Sequence, residues 1–254
     1  MHRVVAIIPA RYNATRFPGK PLAILKGRPV IQHVYENTTR AGLVGEVLVA
    51  TDDQRIFDAV RNFDGKVIMT SQDHESGTDR IAEAAESLEC DYVINVQGDE
   101  PFIDPQMIDE VANLLYNDDR AAISTLSKRV SDVHEILSPH VVKVVTDDEG
   151  FALYFSRAPI PYYRDSWSDL DTISFGGEKT VMYKHIGIYG YRREALVQFA
   201  SLPQSRLEKI EKLEQLRALN AGMKIKVKET PFDTFGIDTK EDLRKAEEWQ
   251  NISL

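Results

Sequence analysis

Three cations stand close together in a short segment near the amino end of the chain. Arg11, Arg16 and Lys20 belong to an acidic protein in which 31 Lys and Arg residues are outnumbered by 40 Asp and Glu residues. Guanidinium and ammonium groups gathered in one loop bind phosphate oxygens, and backbone N–H groups can add further donors. The segment therefore predicts a polyphosphate site, although a solvated basic loop would have the same composition.

The Gly19-Lys20 pair invites comparison with the phosphate-binding P-loop. In that motif a glycine stands where this chain has Ala14, and a serine or threonine that holds magnesium stands where it has Pro21. No Gly-x-Gly-x-x-Gly follows the first predicted strand either, which disfavours an NAD site. Any phosphate site here must be built in another way.

A second segment, residues 93–101, is an apolar run that ends in two adjacent carboxylates, Asp99 and Glu100. Mg²⁺ takes few carboxylates from a protein and completes its shell with phosphate oxygens and water. The alternative is an ordinary turn before a helix, but Asp104 and Pro105 already suit the N-cap and first position of that helix. We therefore predict a magnesium site here, with Asp99 as the preferred ligand.

Short β-branched runs that alternate with helix-period stretches must position these two segments. Strands are predicted at 4–8, 46–50, 66–70 and 92–96, and helices between them at 29–41, 55–63 and 79–88. This alternation predicts a parallel sheet covered by helices, with ligands at the carboxyl ends of the strands. The basic segment follows the first strand and the acidic segment follows the fourth.

The chain changes character at about residue 121, where hairpins and mixed pairing fit better. Strands are predicted at 141–146, 151–155 and 186–191, with a turn at 147–150 and a surface loop at about 163–180. One helix is predicted to end at Gly222, through the apolar series Leu207, Ile210, Leu213, Leu216 and Leu219. Thr239 and Asp242 have the spacing of a capping box that starts a last helix at 240–249.

Composition excludes several classes of protein. A net charge of −9 repels a nucleic-acid backbone, so we expect no nucleic-acid partner. The apolar run at 4–8 stops at Pro9, far short of the ~20 residues that a membrane helix needs, so we expect no membrane insertion. The single Cys90 cannot form an intrachain disulfide, which is compatible with a cytoplasmic location.

Seven motifs over nearly the whole chain resemble those of the 3-deoxy-manno-octulosonate (KDO) cytidylyltransferases, which have the nucleotide-diphospho-sugar transferase fold. The motifs occur in the family's order at residues 8–20, 76–80, 95–101, 152–157, 184–191, 211–217 and 236–239. The resemblance implies one α/β domain with a Rossmann-like, mixed but mainly parallel sheet flanked by helices. It also implies a nucleotide-binding part at about 1–120 and 222–254, a smaller lobe for sugar binding and dimerisation at about 121–221, and a homodimer.

The activity implied by the resemblance is the activation of an acidic eight-carbon sugar for lipopolysaccharide biosynthesis. The anomeric hydroxyl of KDO would attack the α-phosphate of CTP, releasing pyrophosphate and forming CMP-KDO with Mg²⁺ as cofactor. Such a transfer needs charge neutralisation and in-line positioning more than a covalent nucleophile. The absence of a recognisable Ser-His-Asp or Cys-His set therefore agrees with it.

The resemblance also implies roles for individual residues. The catalytic residues would be Lys20, Arg16 and Asp99, and the magnesium ligands Asp99 and Asp238. Nucleotide binding would involve Ala10, Arg11, Lys20, Ser76, Gly77, Thr78, Arg80 and Gln97. Sugar binding would involve Arg157, His185, Tyr189, Glu211 and Glu214.

Several of these residues also have a purely structural interpretation. Ser76 has capping-box spacing to the residue three positions on, and His185 could be a core residue. Arg157 ends an apolar strand and needs an anionic partner, either a sugar carboxylate or a structural acid. Glu211 and Glu214 lie three apart on the predicted helix and so near each other, and Glu214 is the preferred acceptor of sugar hydroxyls.

Residues 164–181 match no segment of the family, so the motifs leave two acidic sugars open. The 8-amino analogue of KDO is a close alternative, since Glu211 or Asp165 could pair with its ammonium group. A non-catalytic nucleotide-sugar sensor is more remote. Such a sensor would not need the complete set of Lys20, Asp99 and Asp238.

Overall fold

The chain folds around one large sheet in a computed structural model that describes residues 2–13, 16–74, 76–130, 132–164 and 181–249. The strands are β1 (Val4–Ala10), β2 (Ile24–Leu25), β3 (Arg28–Pro29), β4 (Glu46–Thr51), β5 (Val67–Met69), β6 (Tyr92–Asn95), β7 (Ile123–Val130), β8 (Lys143–Thr146), β9 (Ala152–Ser156), β10 (Met182–Arg192) and β11 (Ile225–Glu229). The helices are α1 (Val30–Thr38), α2 (Gln54–Asn62), α3 (Gly77–Glu86), α4 (Pro105–Asn117), α5 (Val133–Leu137), α6 (Arg193–Ser201), α7 (Arg206–Glu211), α8 (Gln215–Asn220) and α9 (Lys240–Trp249).

The strand order of the main sheet is β11-β7-β10-β6-β1-β4-β5. Along this path only β10 runs against its neighbours, and β8 and β9 extend the sheet from β10 as an antiparallel hairpin. The predicted mixed but mainly parallel sheet is thus confirmed. The sheet continues across the expected boundary near residue 121, so the two parts of the chain share it.

Helices cover both faces of the sheet, which explains the unbroken apolar run of β1. Val4, Ala6 and Ile8 pack on one face with residues of α1, α2 and α4, whereas Val5 and Ile7 pack on the other with residues of α3, α6 and α8. A strand that is buried on both faces needs apolar side chains at every position. The predicted parallel strands and crossover helices are present within two or three residues of their expected limits.

The strand order reverses beside β1. The chain passes from β1 outward to β4 and β5, and then returns to place β6 on the other side of β1. A crevice forms at such a reversal, outside the carboxyl ends of the two strands, and it is where ligands bind in sheets of this kind. The basic segment leaves β1 at this point, and the acidic segment leaves β6.

The single helix predicted through the leucine series is wrong. The structure has two short helices, α7 and α8, separated by Lys212 in the left-handed conformation with a φ of 53°. The apolar spacing extends over the break, but Leu207 and Ile210 are 40% and 66% exposed. A buried ion pair ties the two helices together instead, since Arg217 in α8 donates to Glu208 in α7 over 2.7 Å.

The local turn and cap predictions are confirmed where the structure describes them. Asp104 accepts from the backbone N–H of Gln106 at the start of α4, and Thr239 and Asp242 bond reciprocally at the start of α9. The turn at 147–150 joins β8 and β9 and ends at Gly150. Residues 165–180 of the predicted surface loop, with Asp165, lie outside the described residues. No helix among the described residues is long and apolar enough to cross a membrane.

Candidate active site

The basic segment after β1 is held in a closed loop. The N–H of Gly19 donates to the carbonyl of Tyr12 over 2.8 Å, and Gly19 adopts a φ of 75° that residues other than glycine rarely adopt. The guanidinium of Arg55 stacks on the ring of Tyr12 at 3.3 Å from its centre. The loop therefore presents Lys20 at the first position of a 3-10 turn, Lys20–Leu22.

The ammonium group of Lys20 joins the two aspartates that the resemblance implied as metal ligands. It donates to a carboxylate oxygen of Asp99 and, over 3.1 Å, to an oxygen of Asp238. Arg16 donates to the second oxygen of Asp238 over 2.8 Å, and the N–H of Ile237 donates to the carbonyl of Asp99 over 2.8 Å. The fold thus brings three distant segments of the chain to one point.

Charge pairing raises the pKa of Lys20. Burial alone would lower this pKa, but the negative charges and hydrogen bonds of Asp99 and Asp238 outweigh it. Lys20 therefore stays protonated at all physiological pH values. Beside it, burial and the charge of Asp99 raise the pKa of Glu100 to about 8, and one of its carboxylate oxygens is buried without a hydrogen-bond partner among the described residues.

The donor set at this point fits a magnesium ion. Oxygens of Asp99 and Asp238 already converge on one cationic centre, the Nζ atom of Lys20. Within the described part of the chain, no group of three or more His, Cys, Asp or Glu side chains forms a metal cage. A pair of carboxylates is nevertheless enough for Mg²⁺, which commonly takes one or two from the protein and its remaining ligands from substrate phosphates and water.

A cleft of about 250 Å³ opens beside these charges and is called here the β1 cleft. Its wall contains most of the expected nucleotide-binding residues, namely Ala10, Arg11, Lys20, Ser76, Gly77, Arg80 and Gln97, together with Asp99. Gly98 also lines it, and a Cβ atom there would lie 2.7 Å from the carbonyl oxygen of Pro9. Only glycine lets the chain after β6 approach the end of β1 this closely.

The amino end of α3 forms one side of the β1 cleft. Ser76 caps the helix through a reciprocal pair of hydrogen bonds with Asp79, so its structural interpretation is confirmed. The hydroxyl of Thr78 donates to the carboxylate of Glu214 over 2.7 Å. The start of α3, which the resemblance places near the nucleotide, is therefore bonded directly to Glu214, which the resemblance places near the sugar.

Two of the expected nucleotide contacts are also engaged within the protein. The guanidinium of Arg80 is buried and donates to Asp52 over 2.9 Å and to the hydroxyl of Thr70. The amide nitrogen of Gln97 lies 3.4 Å from the side-chain oxygen of Asn95 and 3.4 Å from the carbonyl oxygen of Gly187. These two contacts leave the amide oxygen of Gln97 as the group available to a ligand.

A second cavity of about 140 Å³, called here the tyrosine cavity, adjoins the β1 cleft through Gly77 and Gln97. Tyr189, Tyr191, Glu214 and Gln215 line it. Burial raises the pKa of Glu214, although hydrogen bonds from hydroxyl groups oppose the shift. Burial also raises the pKa of Tyr189 well above its usual value, so its hydroxyl stays protonated. The cavity therefore combines a hydroxyl donor with a carboxyl group.

Arg157 and Glu211 make contacts within the protein that the sequence did not predict. The guanidinium of Arg157 donates to the main-chain carbonyls of Glu211, Lys212 and Pro139 rather than to an acidic side chain. The carboxylate of Glu211 accepts from the hydroxyl of Ser156 over 2.7 Å and from the N–H of Arg157 over 3.0 Å. These bonds hold the end of β9 against the break between α7 and α8.

Because of that break, Glu211 and Glu214 are not neighbours on one helical face. Glu211 contacts β9, whereas Glu214 contacts Thr78 and lines the tyrosine cavity. The argument from a single helix is therefore wrong, and the preference for Glu214 as an acceptor of sugar hydroxyls stays a prediction. A sugar contact by Arg157 or Glu211 stays a prediction.

The ring of His185 is largely buried between two aromatic side chains. Its centre lies 5.1 Å from that of Phe155 and 5.2 Å from that of Tyr189. Burial lowers the pKa of His185 from 6.5 to about 3, so the imidazole is neutral at neutral pH. The ring can therefore offer a hydrogen bond to a neighbouring group but no charge.

We expect the wild-type protein to lose stability relative to a His185→Gln variant as the pH falls from 6.5 toward 3. The unfolded chain takes up a proton on His185 near pH 6.5, whereas the folded protein does so only near pH 3. Acid therefore favours the unfolded state, by at most about 1.4 kcal/mol per pH unit. Urea unfolding of both proteins at about pH 7 and about pH 5 measures the difference between their free energies of unfolding. If that difference is the same at both pH values, the burial argument is contradicted.

Four further residues near the site were not predicted from the sequence and are revealed by their neighbours in space. His74 lines both the β1 cleft and a larger outer cavity, and its ring is paired with Glu83. Asn95 and Gln215 line the tyrosine cavity. Asn95 is the first residue of the motif at 95–101, and this motif was the signal that could have identified it. Thr125 lies in β7, a strand that the sequence does not predict. The apolar residues of β7, Ile123, Leu126 and Val130, do not alternate with polar ones, so periodicity gave no signal for this strand.

Comparison with known proteins agrees with this geometry. The family model described as cytidylyltransferase matches residues 5–225. The 3-deoxy-manno-octulosonate cytidylyltransferase of Trichlorobacter lovleyi is 54% identical over 246 residues, which cover 97% of this chain and 98% of that protein. The enzyme of the same description from Thermodesulfovibrio yellowstonii is 52% identical over 255 residues, covering 97% and 98% of the two chains.

Solved structures agree as well. One is the structure of CMP:2-keto-3-deoxy-manno-octonic acid synthetase complexed with CTP, whose sequence is 43% identical to this one. The two structures superpose with a TM-score of 0.90, and the match covers 99% of this chain and 100% of that chain. The 4-diphosphocytidyl-2C-methyl-D-erythritol synthase of Anaerococcus prevotii, 16% identical with a TM-score of 0.63 over 98% and 96% of the chains, shares the fold. The chain is therefore a nucleotidyltransferase that belongs to the 3-deoxy-manno-octulosonate cytidylyltransferase family, as its motifs predicted.

Proposed function

We propose that this protein transfers the cytidylyl group of CTP to the anomeric hydroxyl of KDO, forming CMP-KDO and pyrophosphate. The observation that carries the proposal is the convergence of Arg16, Lys20, Asp99 and Asp238 beside the β1 cleft. The relatives named above and the CTP complex support the choice of both substrates. No feature of the described residues favours the 8-amino analogue or a sensor.

The β1 cleft suits the nucleotide. Arg11 is exposed on its wall and forms no ion pair within the described residues, so its guanidinium is available to a phosphate group. Lys20 and Arg16 add two further cations on the same side. Together they would screen the triphosphate, whose charge otherwise repels an attacking oxygen. The bare amide oxygen of Gln97 can accept from the amino group of cytosine, which uracil lacks.

Asp99 and Asp238 would hold Mg²⁺. When bound, the ion would supply positive charge to the phosphate oxygens around the scissile bond. The protein itself must hold the two carboxylates at a fixed separation. It does so through the hydrogen bond from Ile237 to the Asp99 carbonyl and through the capped start of α9, where Asp242 accepts from the N–H of Asp238 over 3.2 Å.

The tyrosine cavity suits the sugar because it adjoins the β1 cleft and is lined by hydroxyl and carboxyl groups. Glu214 can accept from sugar hydroxyls, and Tyr189 can donate to them. Placing KDO there would bring its anomeric oxygen toward the α-phosphate across Gly77 and Gln97. The new bond joins this oxygen to the α-phosphorus, the bond to the bridging oxygen of pyrophosphate breaks, and the hydroxyl proton leaves to solvent or to the products.

A substrate panel tests the proposed reaction. We expect pyrophosphate release with CTP, Mg²⁺ and KDO, and far slower release when UTP, ATP or GTP replaces CTP. Sialic acid and the 8-amino analogue of KDO serve as competing acidic sugars. Preference for the amino sugar would transfer the assignment to that substrate, and turnover of another nucleotide with a neutral sugar phosphate would refute the proposal.

The cellular setting follows from the proposed reaction. We propose that the enzyme works in the cytoplasm for lipopolysaccharide biosynthesis and that it forms the homodimer that the family resemblance implies. Neither nucleic acid nor membrane insertion has a part in the reaction. Analytical ultracentrifugation of the purified chain tests the dimer, which a purely monomeric protein would contradict.

A further inference from the structure

Strand β10 contains a bulge directly before Tyr189, which lines the tyrosine cavity. Ile186 pairs with Leu126 of β7, and Tyr189 pairs with the next residue back, Thr125, so residues 187 and 188 are out of register. A bulge redirects main-chain groups that a regular strand would use for pairing. Here it turns the carbonyls of Ile186 and Ile188 toward the hydroxyl of Thr125, at 3.1 Å and 2.7 Å.

The hydroxyl of Thr125 is also in contact with His185. Its oxygen lies 2.9 Å from Nε2 of the imidazole, and Thr125 is fully buried. A hydroxyl group has a single proton to donate but can accept two hydrogen bonds. The three contacts therefore cannot all be donated by Thr125, and the direction of each can be assigned.

The carbonyl oxygens can only accept. Two oxygens 2.7 Å apart without a hydrogen between them repel each other, so the proton of Thr125 must point to a carbonyl, and that of Ile188 is the nearer. The contact with His185 must then run the other way, from an Nε2–H group to the hydroxyl oxygen. Thr125 thus selects the tautomer of His185 that carries its proton on Nε2.

The selected tautomer leaves Nδ1 of His185 as a bare acceptor. The ring is neutral because burial lowers its pKa, and within the described part of the chain its hydrogen bond is made by Nε2 and not by Nδ1. The ring is held edge-on to Phe155 and beside Tyr189, which lines the tyrosine cavity together with Glu214. The ring that carries this acceptor therefore lies next to Tyr189, a residue of the proposed sugar site.

We infer that Thr125 is a positioning residue, which fixes His185 in the Nε2–H tautomer so that Nδ1 accepts a hydrogen bond from a hydroxyl group of the acidic sugar. Without the Thr125 hydroxyl, the ring loses the bond that distinguishes its two nitrogens. A share of molecules would then present an N–H group to a sugar hydroxyl instead of an acceptor. The inference rests on the proposed function, since it places the sugar beside His185.

The first test is the nitrogen spectrum of the wild-type protein labelled with ¹⁵N-histidine. The chain has six histidines, and the His185 signals are identified by their loss in a His185→Gln variant. We expect the proton on Nε2 and a bare Nδ1, because the two kinds of ring nitrogen resonate far apart. A proton on Nδ1 would overturn the inference. This measurement needs neither substrate nor turnover.

The second test compares steady-state kinetics of Thr125→Val and Thr125→Ser. We expect Thr125→Val to raise the KM for KDO about tenfold, with little change in kcat or in the KM for CTP, since one hydrogen bond to the bound sugar is weakened. Thr125→Ser keeps the hydroxyl and should restore both the KM and the wild-type nitrogen spectrum. Failure of the serine variant to restore them would contradict a role for the hydroxyl.

Ser124→Ala provides the matched control. Ser124 is the preceding residue of β7, is equally buried, and donates its hydroxyl to the carbonyl of Val111 over 2.7 Å. The Ser124→Ala variant therefore loses one buried hydrogen bond of the same kind as Thr125→Val does. We expect the KM of Ser124→Ala for KDO to stay at the wild-type value. Equal effects of Ser124→Ala and Thr125→Val would indicate general loosening of the strand and overturn the inference.

Absence of wild-type turnover with KDO would refute the proposed function and with it the sugar contact, while the nitrogen spectrum would still decide the tautomer of His185.

Discussion

Asp99→Asn should lower kcat by about 10³-fold while leaving the protein folded. Asparagine keeps the size of the side chain and the main-chain bond from Ile237, but it removes one of the two charges that meet at Lys20. A neutral amide binds Mg²⁺ much more weakly than a carboxylate does. Pyrophosphate release with CTP and KDO, followed as a function of Mg²⁺ concentration, measures the effect.

Asp104→Asn is the matched control for that experiment. Asp104 lies five residues after Asp99 and caps α4 by accepting from the backbone N–H of Gln106 over 2.8 Å. Asparagine caps a helix as well as aspartate does, so both stability and turnover should stay close to wild type. Normal turnover of Asp99→Asn would refute the assignment of Asp99 to the metal, whereas equal losses in both variants would indicate a structural effect.

Lys20→Met should reduce kcat by about 10²- to 10³-fold. Methionine keeps the length of the aliphatic stem but removes the ammonium group that pairs with Asp99 and Asp238. The raised pKa of Lys20 means that the wild-type residue stays charged throughout the neutral range, so the deficit should not change between about pH 6 and about pH 9. Turnover measured over that range, at saturating CTP and KDO, provides the test.

Lys66→Met serves as the comparison, because Lys66 is an exposed lysine that pairs with Glu46 over 2.8 Å near the edge of the sheet. An exposed ion pair contributes little to stability, and this one is not part of the β1 cleft. Its turnover should match the wild type. If Lys20→Met kept more than about a third of the wild-type kcat, Lys20 would have no catalytic role, whatever its position.

Much of the local structure could be predicted because it depends on residues that are close in the chain. Apolar periodicity predicted the parallel strands and their crossover helices, and capping-box spacing predicted the starts of α3 and α9. The long helix was wrongly predicted because its break depends on a residue that is distant in the chain. Its leucine spacing is compatible with a helix throughout, but Arg157, directly after β9, donates to the carbonyls at the break and helps Lys212 to hold its left-handed conformation.

The sequence by itself determined the kinds of chemical group in the site and the strands that they follow, because charge and periodicity are local properties. Only the tertiary structure decided that Lys20 and Asp238, 218 residues apart, meet at 3.1 Å. The sheet order that joins them results from packing on both faces of β1, where every residue depends on partners from distant segments. The same holds for His185, whose tautomer is set by a hydroxyl group on a neighbouring strand.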